Sequence, residues 1–122
     1  MRIPCVAGVV LTAVVVGIAQ EKPPVTTPAA VPDDAGGYTQ LGNAYFDAEQ
    51  WPSAIDFYER SLKLNPNDPD VSTDLGVSYF YSNRPDEALA QFDRSLKLDP
   101  RHTKTLLNKG IVLAFGKENL QA

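Results

Sequence analysis

The sequence predicts an all-α fold, a solenoid of helix-turn-helix units with two full repeats and the first helix of a third. Three observations carry that expectation. RSLKLNP at residues 60–66 returns as RSLKLDP at residues 94–100, an offset of 34. Residues 35–68 laid over residues 69–102 agree at 12 of 34 positions. Within each copy, apolar residues recur at helical intervals, first Leu41, Ala44 and Tyr45, then Ala54, Ile55, Tyr58 and Leu62. Such spacing gathers the apolar side chains on one helix face. A self-match at one fixed period marks an array in which each unit buries that face only against its neighbours.

Composition bounds the rest. The chain has 122 residues and a formal charge of −4, the balance of one small acidic domain. A phosphate backbone would be repelled, so no nucleic-acid partner is expected. Cys5 is the only cysteine, so neither a disulfide framework nor a cysteine-based metal site can form within one chain. No cofactor and no metal site are expected.

Residues 1–19 read as a signal peptide or a membrane anchor. After Arg2, Ile3 to Ala19 form an uncharged run of 17 residues, slightly short of the ~20 that a spanning helix needs. Gly17 and Ala19, two apart, fit a small-x-small cleavage site. Cleavage after Ala19 or an uncleaved tether through residues 3–19 both export the remainder, to the periplasm, to the medium, or onto the inner membrane. Cys5 lies near the start of the apolar run rather than after it, so it reads as an apolar residue of the segment and not as a lipid-attachment site. Residues 20–34 follow as a linker, part of a proline-rich stretch, EKPPVTTPAAVPDDAGG, with no apolar period.

Residues 35–122 form the folded part, with units at 35–68, 69–102 and 103–122. Asp68 before Pro69 suits a helix start, with a side-chain acceptor at the cap and a preset φ at the first helical position. Pro52 and Pro85 open the second helix of each unit. Asn65-Pro66 and Asp99-Pro100 close it, because a residue before proline is driven from the helical region. Glycine inside a helix costs about 1 kcal/mol relative to alanine, so Gly42 and Gly76 need a reason. Close helix contact opposite Ala54 and Ala88 supplies one.

These residues resemble the tetratricopeptide repeat. Its Leu-Gly pair, following aromatic, Ala, second aromatic and closing Pro appear as Leu41-Gly42, Tyr45, Ala54, Tyr58 and Pro66. They appear again as Leu75-Gly76, Tyr79, Ala88, Phe92 and Pro100. Ser61 and Ser95 stand where the family usually has Ala, and Tyr38 and Ser72 where it often has Trp; these read as small-for-small or surface-compatible changes. In the third unit Gly110 continues the glycine series and Ala122 falls in line with Ala54 and Ala88, while Lys109 and Leu113 replace the Leu and Tyr. A helix from Thr103 to about Phe115 would cover unit two and leave Leu107, Ile111 and Phe115 without cover. The expected reasons are that the chain is part of a longer protein, favoured by the turn-like GKENLQA, or that it pairs with another copy.

The resemblance implies a module without chemistry of its own that binds segments of other proteins along a concave groove. Carried over by register, the groove comprises Thr39, Asn43, Phe46 and Asp47 from unit one. Unit two adds Thr73, Val77, Phe80 and Tyr81, and unit three Lys104, Asn108 and Ile111. Phe46 and Phe80 read equally well as core residues between helices. A ligand carboxylate is disfavoured: Asn43 and Lys104 match the family's clamp, but Thr39, Asp74 and Asn108 do not, and Asp74 would repel it. An enzyme is not expected. His102, the only histidine, lies in a turn, and Asp33, Asp34, Asp68 and Asp70 lie at helix starts, where an anion favours the dipole. The expected function is a protein-binding scaffold, in the setting of envelope assembly; the alternative is a self-association module or a non-catalytic part of a longer protein.

Overall fold

The computed structural model describes residues 30–116 together with Val25. The expected signal or anchor, most of the linker, and the turn and helix start after Gly116 lie outside the described residues. Five α-helices follow one another: α1 (Ala35–Asp47), α2 (Trp51–Leu64), α3 (Pro69–Tyr81), α4 (Pro85–Leu98) and α5 (Thr103–Ile111). A π-helical turn, Val112–Gly116, continues α5, so the expected helix to Phe115 changes its winding after Ile111. Among the described residues there is no strand, and no helix is long and apolar enough to cross a membrane.

The helix boundaries follow from local chemistry. The Asp34 side chain accepts from the Gly37 amide at 2.8 Å and the Asp68 side chain from the Val71 amide at 3.0 Å, so α1 and α3 each have a side-chain cap. Proline stands in the first turn of α2 and α4, which lack a side-chain cap. Both α1 and α3 end alike. Gln50 and Arg84 amides reach back to the carbonyls of Tyr45 and Tyr79, and Glu49 and Asn83 amides to those of Phe46 and Phe80. Glu49 and Asn83 take the left-handed conformation, φ 58° and 61°, that this 6→1 closure requires.

The core runs through Ala54, Ile55, Tyr58, Leu62, Val71, Leu75, Tyr79, Ala88, Phe92 and Val112. The helix α3 is the most enclosed, packed by α2, α4 and α5. The expected close contact holds for Gly76 and Ala88, but the atoms nearest both glycines are those of a ring. A Cβ on Gly42 would meet the Tyr58 ring at 2.5 Å, and one on Gly76 the Phe92 ring at 2.6 Å and the Ala88 carbonyl oxygen at 3.1 Å. The glycines make room for an aromatic face; Ala54 and Ala88, 0% exposed, lie one turn earlier.

The serines at 61 and 95 are neither surface changes nor mere volume fillers. Ser61 bonds the Thr39 hydroxyl at 2.7 Å and the Ala35 carbonyl at 2.9 Å. Ser95 bonds Thr73 at 3.0 Å, Thr105 at 2.8 Å and the Pro69 carbonyl at 2.8 Å. Since Thr73 and Thr105 also bond each other, one buried hydroxyl cluster ties α3, α4 and α5 together. His102 continues it: Nδ1 is 2.6 Å from the Thr105 hydroxyl and Nε2 2.8 Å from Asp70. The inter-repeat histidine thus fastens the start of α5 to the start of α3.

Candidate functional site

Four aromatic side chains gather where α1, the start of α2 and the end of α3 meet. Tyr81 stacks on Trp51 with centroids 4.7 Å apart and planes 15° off parallel. Phe46 meets Trp51 edge-on at 5.3 Å, and Phe80 leans on Tyr81 at 5.5 Å. Trp51 is placed by the tight α1–α2 turn, in which Glu49 takes the left-handed conformation after α1 ends at Asp47, and Trp51 with Pro52 opens α2. Tyr81, at the end of α3, is 56% exposed although its ring is partnered.

Phe46, Trp51 and Tyr81, with Asp47, Glu49 and Val77, line a hollow of about 510 Å³. A smaller one of about 60 Å³ lies beside it, walled by Val77, Phe80, Tyr81, Phe92, Asn108, Ile111 and Val112. Of the groove residues expected from sequence, Phe46, Asp47, Val77 and Tyr81 therefore share the larger hollow. Val77, Phe80, Tyr81, Asn108 and Ile111 share the smaller. Phe46 and Phe80 also pack against the core, so they serve both readings. Trp51 and Glu49 were not among the expected groove residues. They belong to the turn and second helix, whereas the groove was assigned from the first helix of each unit. The lone tryptophan beside a turn was the signal that could have found them.

Two expected positions need correction. Thr73 is 0% exposed; its hydroxyl, bonded to Pro69, Ser95 and Thr105, faces α4 and α5 rather than a groove. Thr39 is half-buried and points the same way, to Ala35 and Ser61. Both were placed by register on a face that the second helix covers.

The polar groups of the concave face are largely engaged. Asn43 accepts at Oδ1 from the Tyr58 hydroxyl at 2.7 Å, and burial pushes that hydroxyl's pKa up. Asn108 donates from Nδ2 to the Lys104 carbonyl at 2.8 Å. Lys104 pairs with the Asp74 carboxylate. Burial pushes the Asp74 carboxyl above its ordinary value, and the Lys104 ammonium pulls the other way. A carboxylate ligand would have to take Lys104 from Asp74, leaving a largely enclosed anion without its counter-ion. Asp47 and Glu49, by contrast, are exposed on the rim of the larger hollow. Among the described residues no group of His, Cys, Asp and Glu is arranged to hold a metal ion.

The paired-helix units, in register at an offset of 34 with a glycine-on-ring contact in each, are what family comparison recognises. Models of the tetratricopeptide repeat match residues 35–68 and residues 69–102. The chain belongs to that family. No curated protein matches the chain in sequence. Tetratricopeptide repeats are generally protein–protein interaction modules, typically scaffolds without catalysis.

Proposed function

We propose that this protein is a scaffold that holds an extended segment of a partner protein against the concave aromatic hollow, with an apolar or basic side chain as anchor. The observation that carries the reading is the Trp51–Tyr81 stack with Asp47 and Glu49 at its rim. Rigid aromatic area anchors an interface at low entropic cost. An aromatic wall beside carboxylates suits a Lys or Arg, through cation–π attraction and ion pairing together. The formal charge of −4 supports a cationic ligand, and the Lys104–Asp74 pair speaks against a terminal carboxylate as the anchor.

The test is selection of peptides from a random display library on the whole chain, followed by binding of the selected peptides to Tyr81→Ala and Asp47→Asn. Enrichment of basic residues next to apolar ones is expected. Tyr81→Ala should weaken binding about tenfold or more, the cost of a contact worth more than 1 kcal/mol, read well below the melting temperature, which losing the stack on Trp51 lowers by a small amount. Selected peptides that bind Tyr81→Ala as well as the parent would overturn the groove assignment.

Export, with work in the assembly of a bacterial envelope, is part of the same proposal and rests on the apolar run Ile3 to Ala19. Amino-terminal sequencing of the protein from cells tests it: a start at Gln20 supports a cleaved signal, and an intact Met1 in a soluble cytoplasmic fraction refutes export.

A further inference from the structure

Across α3 from the concave hollows lies a third, of about 390 Å³. At 3.6 residues per turn, Leu75 and Tyr79 fall on one side of α3 and Val77 and Tyr81 on the other. Leu75 and Tyr79, with Leu62 of α2, are buried and floor the third hollow. Its walls are Glu59 and Lys63 of α2 and Gln91 and Arg94 of α4, and it shares no residue with either concave hollow. Glu59 accepts from the Tyr79 hydroxyl. Among the described residues no carboxylate pairs with Lys63 or Arg94. Arg94 donates from Nη2 to the Pro66 carbonyl at 3.2 Å, which holds the guanidinium at the wall and leaves most of its five donors for a ligand. Gln91 Oε1 is buried with no hydrogen-bond partner among the described residues. Unit one has the same positions compensated. There Arg60 pairs with Asp56 at 3.1 Å and lies over the Phe57 ring at 5.3 Å. Moved by one period, Asp56, Phe57 and Arg60 become Ala90, Gln91 and Arg94, so the second unit keeps the cation and loses both its counter-ion and its aromatic neighbour.

We infer that this hollow between α2 and α4 is a second docking site, for an acidic segment of a partner protein. An Asp or Glu side chain of the segment sits between Arg94 and Lys63, and a backbone N–H beside it donates to Gln91 Oε1. A carboxylate fits the guanidinium fork with two parallel hydrogen bonds, and the donation to Gln91 satisfies an acceptor whose burial unpaired is costly. The occupant is a peptide rather than a bare anion because the acceptor beside the cations calls for an N–H next to the carboxylate, and a backbone carries one at almost every residue. The apolar floor of Leu62 and Leu75 suits an apolar neighbour of the acid. Charge separates this site from the concave one: Asp47 and Glu49 rim the larger concave hollow, whereas two cations face the single, already engaged Glu59 here. The two sides of α3 thus select ligands of opposite sign.

The experiment selects peptides from a random display library on the whole chain carrying Tyr81→Ala and Asp47→Asn, which disable the concave hollow and leave this one intact. Acidic peptides with an apolar neighbour are expected, bound more weakly as salt is raised. Arg94→Gln should weaken the selected peptides about tenfold or more, and Lys63→Gln, at the exposed rim, should slow their association. Gln91→Leu should weaken them severalfold while the melting temperature of the free chain stays the same or rises, because the substitution removes an acceptor buried unpaired. A role in packing alone would not part those two readouts. Lys63→Gln breaks no ion pair among the described residues, so the test stays readable should Arg94→Gln lower the melting temperature. No enrichment of acidic peptides, or equal binding of them to Arg94→Gln and Lys63→Gln, overturns the assignment. Thermal stabilisation by inorganic phosphate alone that Arg94→Gln abolishes gives the hollow to a free anion. A dimer in sedimentation that Arg94→Gln dissolves gives it to a second copy. Either of these results also overturns it.

Discussion

The two ends of the stack solve one problem differently. At the amino-terminal edge Phe57 lies between Tyr38 and Tyr45, and the Arg60 guanidinium covers Phe57 at 5.3 Å and Tyr38 at 5.9 Å. These rings are half-buried by one another. At the other edge Leu106, Leu107 and Leu113 are at least half exposed. In the middle of the stack the positions of Tyr38 and Phe57 are taken by Ser72 and Gln91, because there a neighbouring unit fills the space that the rings fill at the edge. The same register positions are therefore filled by mutually stacked rings in the first unit, by small or polar side chains in the second and by exposed leucines in the third.

The largest effects should come from moving one substitution along the glycine series. Gly42→Ala and Gly76→Ala each force a methyl into a buried ring and should cost about 2 kcal/mol in denaturant unfolding, within the range for overpacked cores. Among the described residues nothing beyond α5 itself lies within 4 Å of a Cβ at Gly110, so Gly110→Ala should gain up to about 1 kcal/mol from helix propensity. Opposite signs at equivalent positions would establish that the end, and not the sequence position, sets the role; a loss at Gly110 would mean the carboxy-terminal face is covered.

Next in size is the pair that fastens α5 to α3. Lys104→Met leaves the Asp74 carboxylate, with its side chain 18% exposed, without a counter-charge and should cost about 1–2 kcal/mol at pH 7. Asp74 already titrates above its ordinary value through burial, and losing the ammonium raises it further. A raised folded-state pKa favours folding at low pH and is a liability above it. The variant's deficit should therefore be full at neutral pH, shrink as pH falls through the folded-state value, and be gone below ~3.9, where the carboxyl is neutral in both states. A deficit independent of pH would assign the loss to packing of the lysine stem instead.

Much of this was legible in the sequence, for a definite reason. Period and apolar spacing fix the helices because each unit repeats the same local contest of prolines, caps and turns. The boundaries at Pro69, Pro85 and Asn65 follow from residue chemistry acting within a few positions. Trp51 escaped because the groove was assigned from the first helix of each unit while Trp51 opens the second, and its partner Tyr81 lies 30 positions away. Thr73 was misplaced for the converse reason: register says which helix a residue is on, while the face that counts as groove is decided by how α4 and α5 lie over it. The hydroxyl cluster was equally hidden, since Ser95 reads as a small residue until Thr73 and Thr105 are brought to it.

A smaller effect separates the edge rings from their interior counterpart. Tyr38→Ala removes a stacked ring and should cost about 1 kcal/mol. Ser72→Ala removes a hydroxyl that is fully buried without a hydrogen-bond partner and should be neutral or stabilise by up to about 1 kcal/mol. If Ser72→Ala instead destabilises, the hydroxyl has a partner such as an enclosed water, and the interior position is polar for a purpose.

The smallest contrast lies in the two turns that close the first helices. Glu49 and Asn83 occupy equivalent left-handed positions, but only asparagine tolerates that region through local hydrogen bonding, whereas a longer side chain bears the full Cβ clash of about 1–2 kcal/mol. Glycine relieves the clash and loses part of the gain to the greater freedom of its unfolded chain. Glu49→Gly should thus raise stability by about 0.5 kcal/mol, and Asn83→Gly by less, in paired denaturant titrations. Because Glu49 also lines the aromatic hollow, Glu49→Gly should at the same time weaken basic peptides selected on the parent. Strain retained at Glu49 would then have its explanation in ligand binding, and equal peptide affinity would leave that strain without a function.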